Sequence, residues 1–221
     1  MPTDIFTDIY RENRWGDPDS RSGGGSNLGA TGAVRAALPG LLQRYDVRSM
    51  LDIPCGDFFW LRTLDLPLER YIGADIVAPL VEETAAKYAT ANRSFVTLDL
   101  REDLLPKVDL IFCRDCLVHL TTHDVFRALG AIMISRSRYL LTTTFPTREA
   151  NSDQKTGDWQ PLNLQRGPYY FPPPLELIDE QYTGDQGQYA DKSLGLWDIE
   201  ALRMEPSWIS LREGTEGTGA P

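Results

Sequence analysis

The chain has 221 residues, 42% of them hydrophobic, and its 32 acidic against 22 basic side chains give a formal net charge of −10. That length suits one α/β domain with a full core. The acidic balance argues against a nucleic-acid partner, which needs a clustered cationic surface. No apolar run is long enough to cross a bilayer, and Met1-Pro2-Thr3-Asp4 lacks the basic and apolar parts of a signal peptide, so a cytoplasmic protein with no membrane partner is expected.

Residues 1–26 read as an N-terminal arm, in which Ile5, Phe6, Ile9 and Tyr10 recur at helical spacing before the polar, glycine-rich run Asp17 to Ser26. Ser22-Gly23-Gly24-Gly25-Ser26 is either a flexible linker or a lid that closes over a ligand. Residues 27–221 read as a single domain. From about Asn27 to Tyr45 the pattern is helical, with Ser26 as N-cap and Pro39 kinking or dividing the helix. The sheet then begins at Met50. Strand signals at Tyr71–Ile76, Phe95–Leu98, Asp109–Arg114 and Tyr139–Thr143 alternate with helices over Pro79–Tyr88 and Thr122–Ser135. This alternation implies an α/β fold with a mostly parallel sheet and helices on both faces. A long polar loop at about 146–174 follows, and Leu175–Ile178 and Ser193–Ile199 are the last candidate strands.

The segment Leu51-Asp52-Ile53-Pro54-Cys55-Gly56-Asp57 joins an apolar strand to a small-residue turn that ends in a carboxylate. In doubly wound sheets such a turn faces the ligand, and glycine lets the backbone approach it. A dinucleotide fits poorly, because G-x-G-x-x-G is incomplete and Pro54 has no N–H for a pyrophosphate. Asp75 lies 19 residues after Gly56 at the second strand end, where an acid accepts both ribose hydroxyls; the alternative is an ordinary helix cap.

Asp52-Ile53-Pro54-Cys55-Gly56-Asp57 resembles motif I of the class I S-adenosylmethionine-dependent methyltransferases, with one glycine of that motif kept. The resemblance covers about residues 28–145 and implies a Rossmann-like, seven-stranded sheet. It implies S-adenosyl-L-methionine as cofactor, with Asp52 near the methionine ammonium and Gly56 near the carboxylate or sugar. Asp57 is a second carboxylate for the ammonium, Asp99 would meet the adenine amino group, and Leu100 would cover the ring. The bland reading of Asp99-Leu100-Arg101 is a solvated turn.

The apolar strand Asp109–Cys113 delivers Arg114, Asp115 and His119 into one short polar turn beside the expected methyl donor, with Arg114 assigned to the cofactor side. A sugar or alcohol hydroxyl must lose its proton to accept a methyl group. His119 is the expected general base, and Asp115 is expected either to orient it or to hold the acceptor hydroxyl. The other histidine, His123, reads as a surface residue.

Asp115 is alternatively a Mg²⁺ ligand that lowers the acceptor's pKa, an arrangement some sugar O-methyltransferases use. Strand five ends in Thr142-Thr143-Thr144-Phe145-Pro146 without the second acid, and Glu149 and Asp153 are the nearest substitutes. Cys113-x-x-Cys116 with His119, near Cys55, suggests zinc, but structural zinc sites usually show two separated ligand pairs, and small packed thiols are the favoured reading.

In the long loop, Asn151, Asp153, Trp159, Asn163 and Tyr169 suit a carbohydrate-like acceptor, because aromatic faces stack on sugar rings and amides and carboxylates bind their hydroxyls. The stretches Asp109–Leu120, Tyr139–Pro146 and Gly157–Leu164 are similar to a compact bacterial subgroup associated with glycan biosynthesis. That similarity implies O-methylation of a small or oligosaccharide acceptor, with a homodimer left open. The alternatives are N-methylation of a small molecule or peptide and a non-catalytic S-adenosylmethionine-binding module. A protein N-methyltransferase would tend to show an Asn- or Asp-Pro-Pro-aromatic turn, where this chain has Arg114-Asp115-Cys116-Leu117.

Overall fold

The structure is a computed structural model that describes residues 5–203; the outer ends of the expected arm (1–4) and domain (204–221) lie outside the described residues. Seven strands form one sheet: β1 (Ser49–Asp52), β2 (Arg70–Asp75), β3 (Arg93–Thr97), β4 (Leu110–Cys113), β5 (Tyr139–Thr144), β6 (Glu176–Asp179) and β7 (Ser193–Asp198). Their order is β3-β2-β1-β4-β5-β7-β6. β1 to β5 run parallel, and β7 enters antiparallel between β5 and β6.

Side chains alternate between the two faces with the pleat. Met50, Leu110, Phe112, Leu141, Leu194 and Leu196 pack against Val34, Leu38 and Leu41 of helix α2 (Gly32–Arg44) and Val81 of α3 (Ala78–Tyr88). Leu51, Ile111, Leu140 and Trp197 pack on the other face against Val125, Leu129 and Ile132 of α4 (Thr122–Ile134) and Leu202 of α5 (Ile199–Arg203). The central strands are therefore apolar on both sides, as the sequence alternation requires.

Three local features bear on the site, and the first corrects the expected Ser26 N-cap and the expected break at Pro39. First, α2 starts at Gly32, preceded by Thr31 without a side-chain cap, and runs undivided through Pro39. Ser26 lies in a separate 3₁₀ turn. Tertiary burial of Leu38, Leu41 and Leu42 around the proline offsets its lost hydrogen bond. Second, the β1-to-β2 crossing has no α-helix. Phe58 takes a left-handed φ of 58°, and a 3₁₀ turn over Leu61–Thr63 follows. Phe58 and Trp60 instead pack into the sheet face beside Tyr71, Phe95 and Phe112.

Third, as the helical spacing of Ile5, Phe6, Ile9 and Tyr10 predicts, an arm helix α1 (Ile5–Glu12) forms, and it leads into a segment that returns to the carboxyl ends of β1 and β4. The helix is seated over Gly157, where a Cβ would lie 2.9 Å from Ile5 Cγ1.

Candidate active site

β1 ends at Asp52, whose carboxylate is buried and accepts the Tyr71 hydroxyl at 2.6 Å. Burial, reinforced by the neighbouring Asp75 charge, pushes the Asp52 carboxyl up to about 7 against the opposing effects of the Tyr71 hydrogen bond and Arg114. The turn after it is pinned between strands: Ile53 N–H donates to Phe112 and Cys55 N–H to Ala74. Gly56 takes a φ of +54° and donates its N–H to Asp75 Oδ2 at 3.1 Å. Asp75 also caps the next turn through Val77 N–H at 3.0 Å. Asp75 also walls the cavity.

Asp99 follows β3 and is bound by Arg101 through Nε at 2.8 Å and Nη2 at 2.7 Å. Burial would raise the Asp99 carboxyl, but Arg101 outweighs it and holds it below the usual range. Leu100 is 5% exposed beside it.

Asp57 is expected at the methionine ammonium, and the structure commits it elsewhere. Its carboxylate accepts Ser20 Oγ at 3.0 Å, Arg21 N–H at 2.8 Å and Ser22 Oγ at 3.4 Å. It is the anchor of the glycine-rich segment. That segment continues across the site to Gly25, whose carbonyl accepts Arg114 Nη1 at 2.9 Å.

Arg114 is buried and donates to Glu180 through Nε at 3.2 Å and Nη2 at 2.6 Å. Asp115, in a left-handed conformation that aspartate tolerates, is fixed through its N–H to Thr143 Oγ1 at 2.8 Å. Its carboxylate meets Lys192 Nζ at 2.7 Å and Arg114 Nη1 at 3.2 Å. Burial opposes its charge, but Lys192 and Arg114 win and keep it well below the usual carboxylate range. Glu180 and Lys192 are absent from the sequence reading. They come from the ends of β6 and β7, more than 60 residues after Arg114, with no local motif to mark them.

His119 stands on a 3₁₀ turn over Leu117–His119, and its Nδ1 lies 2.8 Å from the Asp158 carbonyl oxygen. A carbonyl only accepts, so in the neutral ring Nδ1 carries the proton and Nε2 keeps its lone pair. Burial lowers the His119 pKa below the ordinary imidazole value, which favours that neutral form. The ring is oriented by the Asp158 carbonyl and not by Asp115, which removes the first of the two roles expected of that acid. Trp15 of the arm packs against it, with centroids 5.1 Å apart and planes tilted by 34°. His123 is exposed on α4.

Asp52, Gly56, Asp57, Asp75, Asp99, Leu100, Arg114, Asp115, His119 and Trp159 all wall one cavity of about 850 Å³. The other four acceptor candidates do not, and the amides of Asn151 and Asn163 hold the loop itself. Asn151 Nδ2 donates to Asn163 and Gly167 carbonyls, and its Oδ1 accepts Asn163 N–H at 2.8 Å. Asn163 Nδ2 donates to the Pro146 and Arg148 carbonyls. Asp153 accepts Thr122 N–H at 2.7 Å, at the start of α4, and Tyr169 is buried against Phe126. A loop without secondary structure must pair its buried backbone groups somehow, and these amides do so.

Mg²⁺ does not fit this donor set. Asp115 already faces two cations, and among the described residues no cluster of three or more His, Cys, Asp or Glu is placed to hold a metal. Cys55, Cys113 and Cys116 are free thiols. The acids at the ends of β1, β2 and β3 suit a nucleoside that carries a positive charge.

Strand order and site together define the class I methyltransferase fold. Among solved structures, the chain is similar to the methyltransferase domain of bacterial CtHen1 (TM-score 0.56, 12% identity, 76% of this chain and 99% of that one). It is also similar to human N-acetylserotonin methyltransferase in complex with SAM (TM-score 0.54, 16% identity, 74% of this chain and 50% of that one). A third similarity is to a chain of the Haloferax volcanii complex between a methyltransferase activator and a methyltransferase (TM-score 0.46, 17% identity, 65% of this chain and 61% of that one). The chain thus spans half to three fifths of the last two. No family model and no curated protein matches the sequence.

Proposed function

We propose that this chain is an S-adenosylmethionine-dependent O-methyltransferase acting in the cytoplasm on a hydroxyl of a sugar or glycoside. The observation that carries the reading is the Nδ1–H bond of His119 to the Asp158 carbonyl, which leaves a neutral Nε2 in the cavity shared with Asp52, Asp75 and Asp99. The donor, when bound, supplies an electrophilic methyl group on a sulfonium. Asp52 offsets positive charge there, Asp75 accepts ribose hydroxyls and Asp99 accepts the adenine amino group. His119 Nε2 removes the acceptor hydroxyl proton, and the closed glycine-rich segment excludes water. Asp115 holds the acceptor as a hydrogen-bond acceptor fixed by Lys192.

The finer reading rests on the resemblance of the acceptor-side sequence to the mycobacterial 1-O-methyltransferase of methylmannose polysaccharide synthesis. It implies methylation of the anomeric hydroxyl of a short, already 3-O-methylated mannoside. Incubation with labelled donor and a panel of mannosides, glucosides and hydroxylated lipids, with and without EDTA, tests both levels. Label transfer to a mannoside, insensitive to EDTA, is expected; transfer to no carbohydrate removes the sugar reading.

A further inference from the structure

We infer that the N-terminal arm supplies part of the acceptor subsite, with Trp15 and Trp159 as the two indoles that bind an uncharged sugar ring beside His119. This rests on the methyl-transfer reading above.

The two tryptophans sit on segments that meet at His119. Trp15 packs against the His119 ring with centroids 5.1 Å apart and planes tilted by 34°, and Trp159, whose ring packs edge-on against Phe145 and Tyr189, follows Asp158, whose carbonyl orients that histidine. Both wall the cavity. They remain 38% and 39% exposed, whereas Trp60 and Trp197 are 7% and 1% exposed in the core. An indole left half open inside a cavity, with a polar edge and a flat apolar face, is suited to a ring ligand that is apolar on its faces and hydroxylated on its rim.

The arm is also built to hold Trp15 there. Ile5 covers Gly157, whose N–H donates to the His119 carbonyl at 2.8 Å, so α1 is seated on the segment that bears both His119 and Trp159. At Gly23, with a φ of +89°, a Cβ would lie 3.0 Å from Trp15 Cβ. A side chain there would push the indole away.

Charge selects the class of ring. Each Lys and Arg that walls the cavity is already engaged: Arg114 with Glu180, Lys192 with Asp115, Arg101 with Asp99, and Arg21 with the Tyr10 carbonyl and ring. The two buried cations at the acceptor end, Arg114 and Lys192, are matched by the two carboxylates Glu180 and Asp115. At the acceptor end, a phosphorylated or carboxylated sugar would have to break the Arg114 or Lys192 pair to find a counter-ion, and a neutral glycoside would not.

The test measures two affinities on the full chain: S-adenosylhomocysteine by calorimetry, and methyl α-D-mannopyranoside by ligand-observed NMR with S-adenosylhomocysteine saturating. Mannose 6-phosphate serves as the charged probe. The neutral mannoside is expected to bind the wild type more tightly than the phosphate. Trp159→Ala and Trp15→Ala should each weaken it about tenfold, Trp15→Phe should weaken it less, and nucleoside affinity should hold in Trp159→Ala and Trp15→Phe. Unchanged mannoside affinity in both alanine variants, no binding of the neutral mannoside, or preference for the phosphate each overturns the inference. Failure of the wild type to bind S-adenosylhomocysteine instead overturns the methyl-transfer reading itself.

Discussion

The guanidinium of Arg114 lies against the carboxylate of Glu180 in two hydrogen bonds, 3.2 and 2.6 Å, with both side chains almost fully removed from solvent. The pair ties β4 to the end of β6 and leaves Arg114 Nη1 free to hold the Gly25 carbonyl. Removing one partner strands a buried charge, which is the expensive way to break such a pair. Glu180→Ala should therefore cost about 3 kcal/mol, read as a fall in Tm of roughly 6–12 °C for a domain of this size. An unchanged Tm would contradict the pairing.

Asp52 should give S-adenosylmethionine binding a pH dependence. Its carboxyl is pushed up to about 7, so near neutrality the folded protein holds a proton that the unfolded chain has lost. The stability from that proton is fully present below the unfolded carboxylate value and is lost as pH rises through about 7. A cationic ligand prefers the ionised form and expels the proton. Affinity for S-adenosylmethionine should rise between about pH 6 and 8, and calorimetry in buffers of different ionisation enthalpy should register proton release. Asp52→Asn should abolish that release; release that persists in the variant would assign it elsewhere.

The glycine-rich segment should be held down by Gly56 and Asp57 together. A Cβ on Gly56 would lie 2.1 Å from Ser22 Oγ, on a backbone with φ of +54°. Gly56→Ala and Asp57→Ala are both expected to free residues 20–26, seen as faster amide exchange at Arg21 and Gly23, while the sheet amides keep their protection. Equal exchange in variant and wild type would mean that the segment is held by something else.

Much of the cavity wall at the ends of β1, β2 and β3 was legible because it is local. An apolar strand, a turn with one glycine, and acids at three successive strand ends lie close along the chain, and the parallel sheet brings those ends together. Glu180 and Lys192 were not legible, since only the antiparallel β6–β7 pair carries them back to Arg114 and Asp115. Phe58-Phe59-Trp60 carries no signal that separates helix from turn, because aromatics pack equally well from either, and here they pack from a turn. Composition also misled: Asn151 and Asn163 look like ligands for sugar hydroxyls, but their amides serve the loop's own carbonyls. Trp159 belonged to the same polar stretch and does face the cavity.

His119 carries the proton transfer in the proposed reaction. Burial holds its imidazole below the ordinary pKa, so as pH falls the free base should persist to below the usual value of about 6.5. The most direct measurement is turnover of His119→Asn with the glycoside that the donor-labelling panel identifies, alongside S-adenosylhomocysteine affinity by calorimetry. Loss of a general base predicts a fall of roughly 10²–10⁴ in turnover with affinity unchanged. Turnover close to the wild type, with the nucleoside still bound, would contradict His119 as the base.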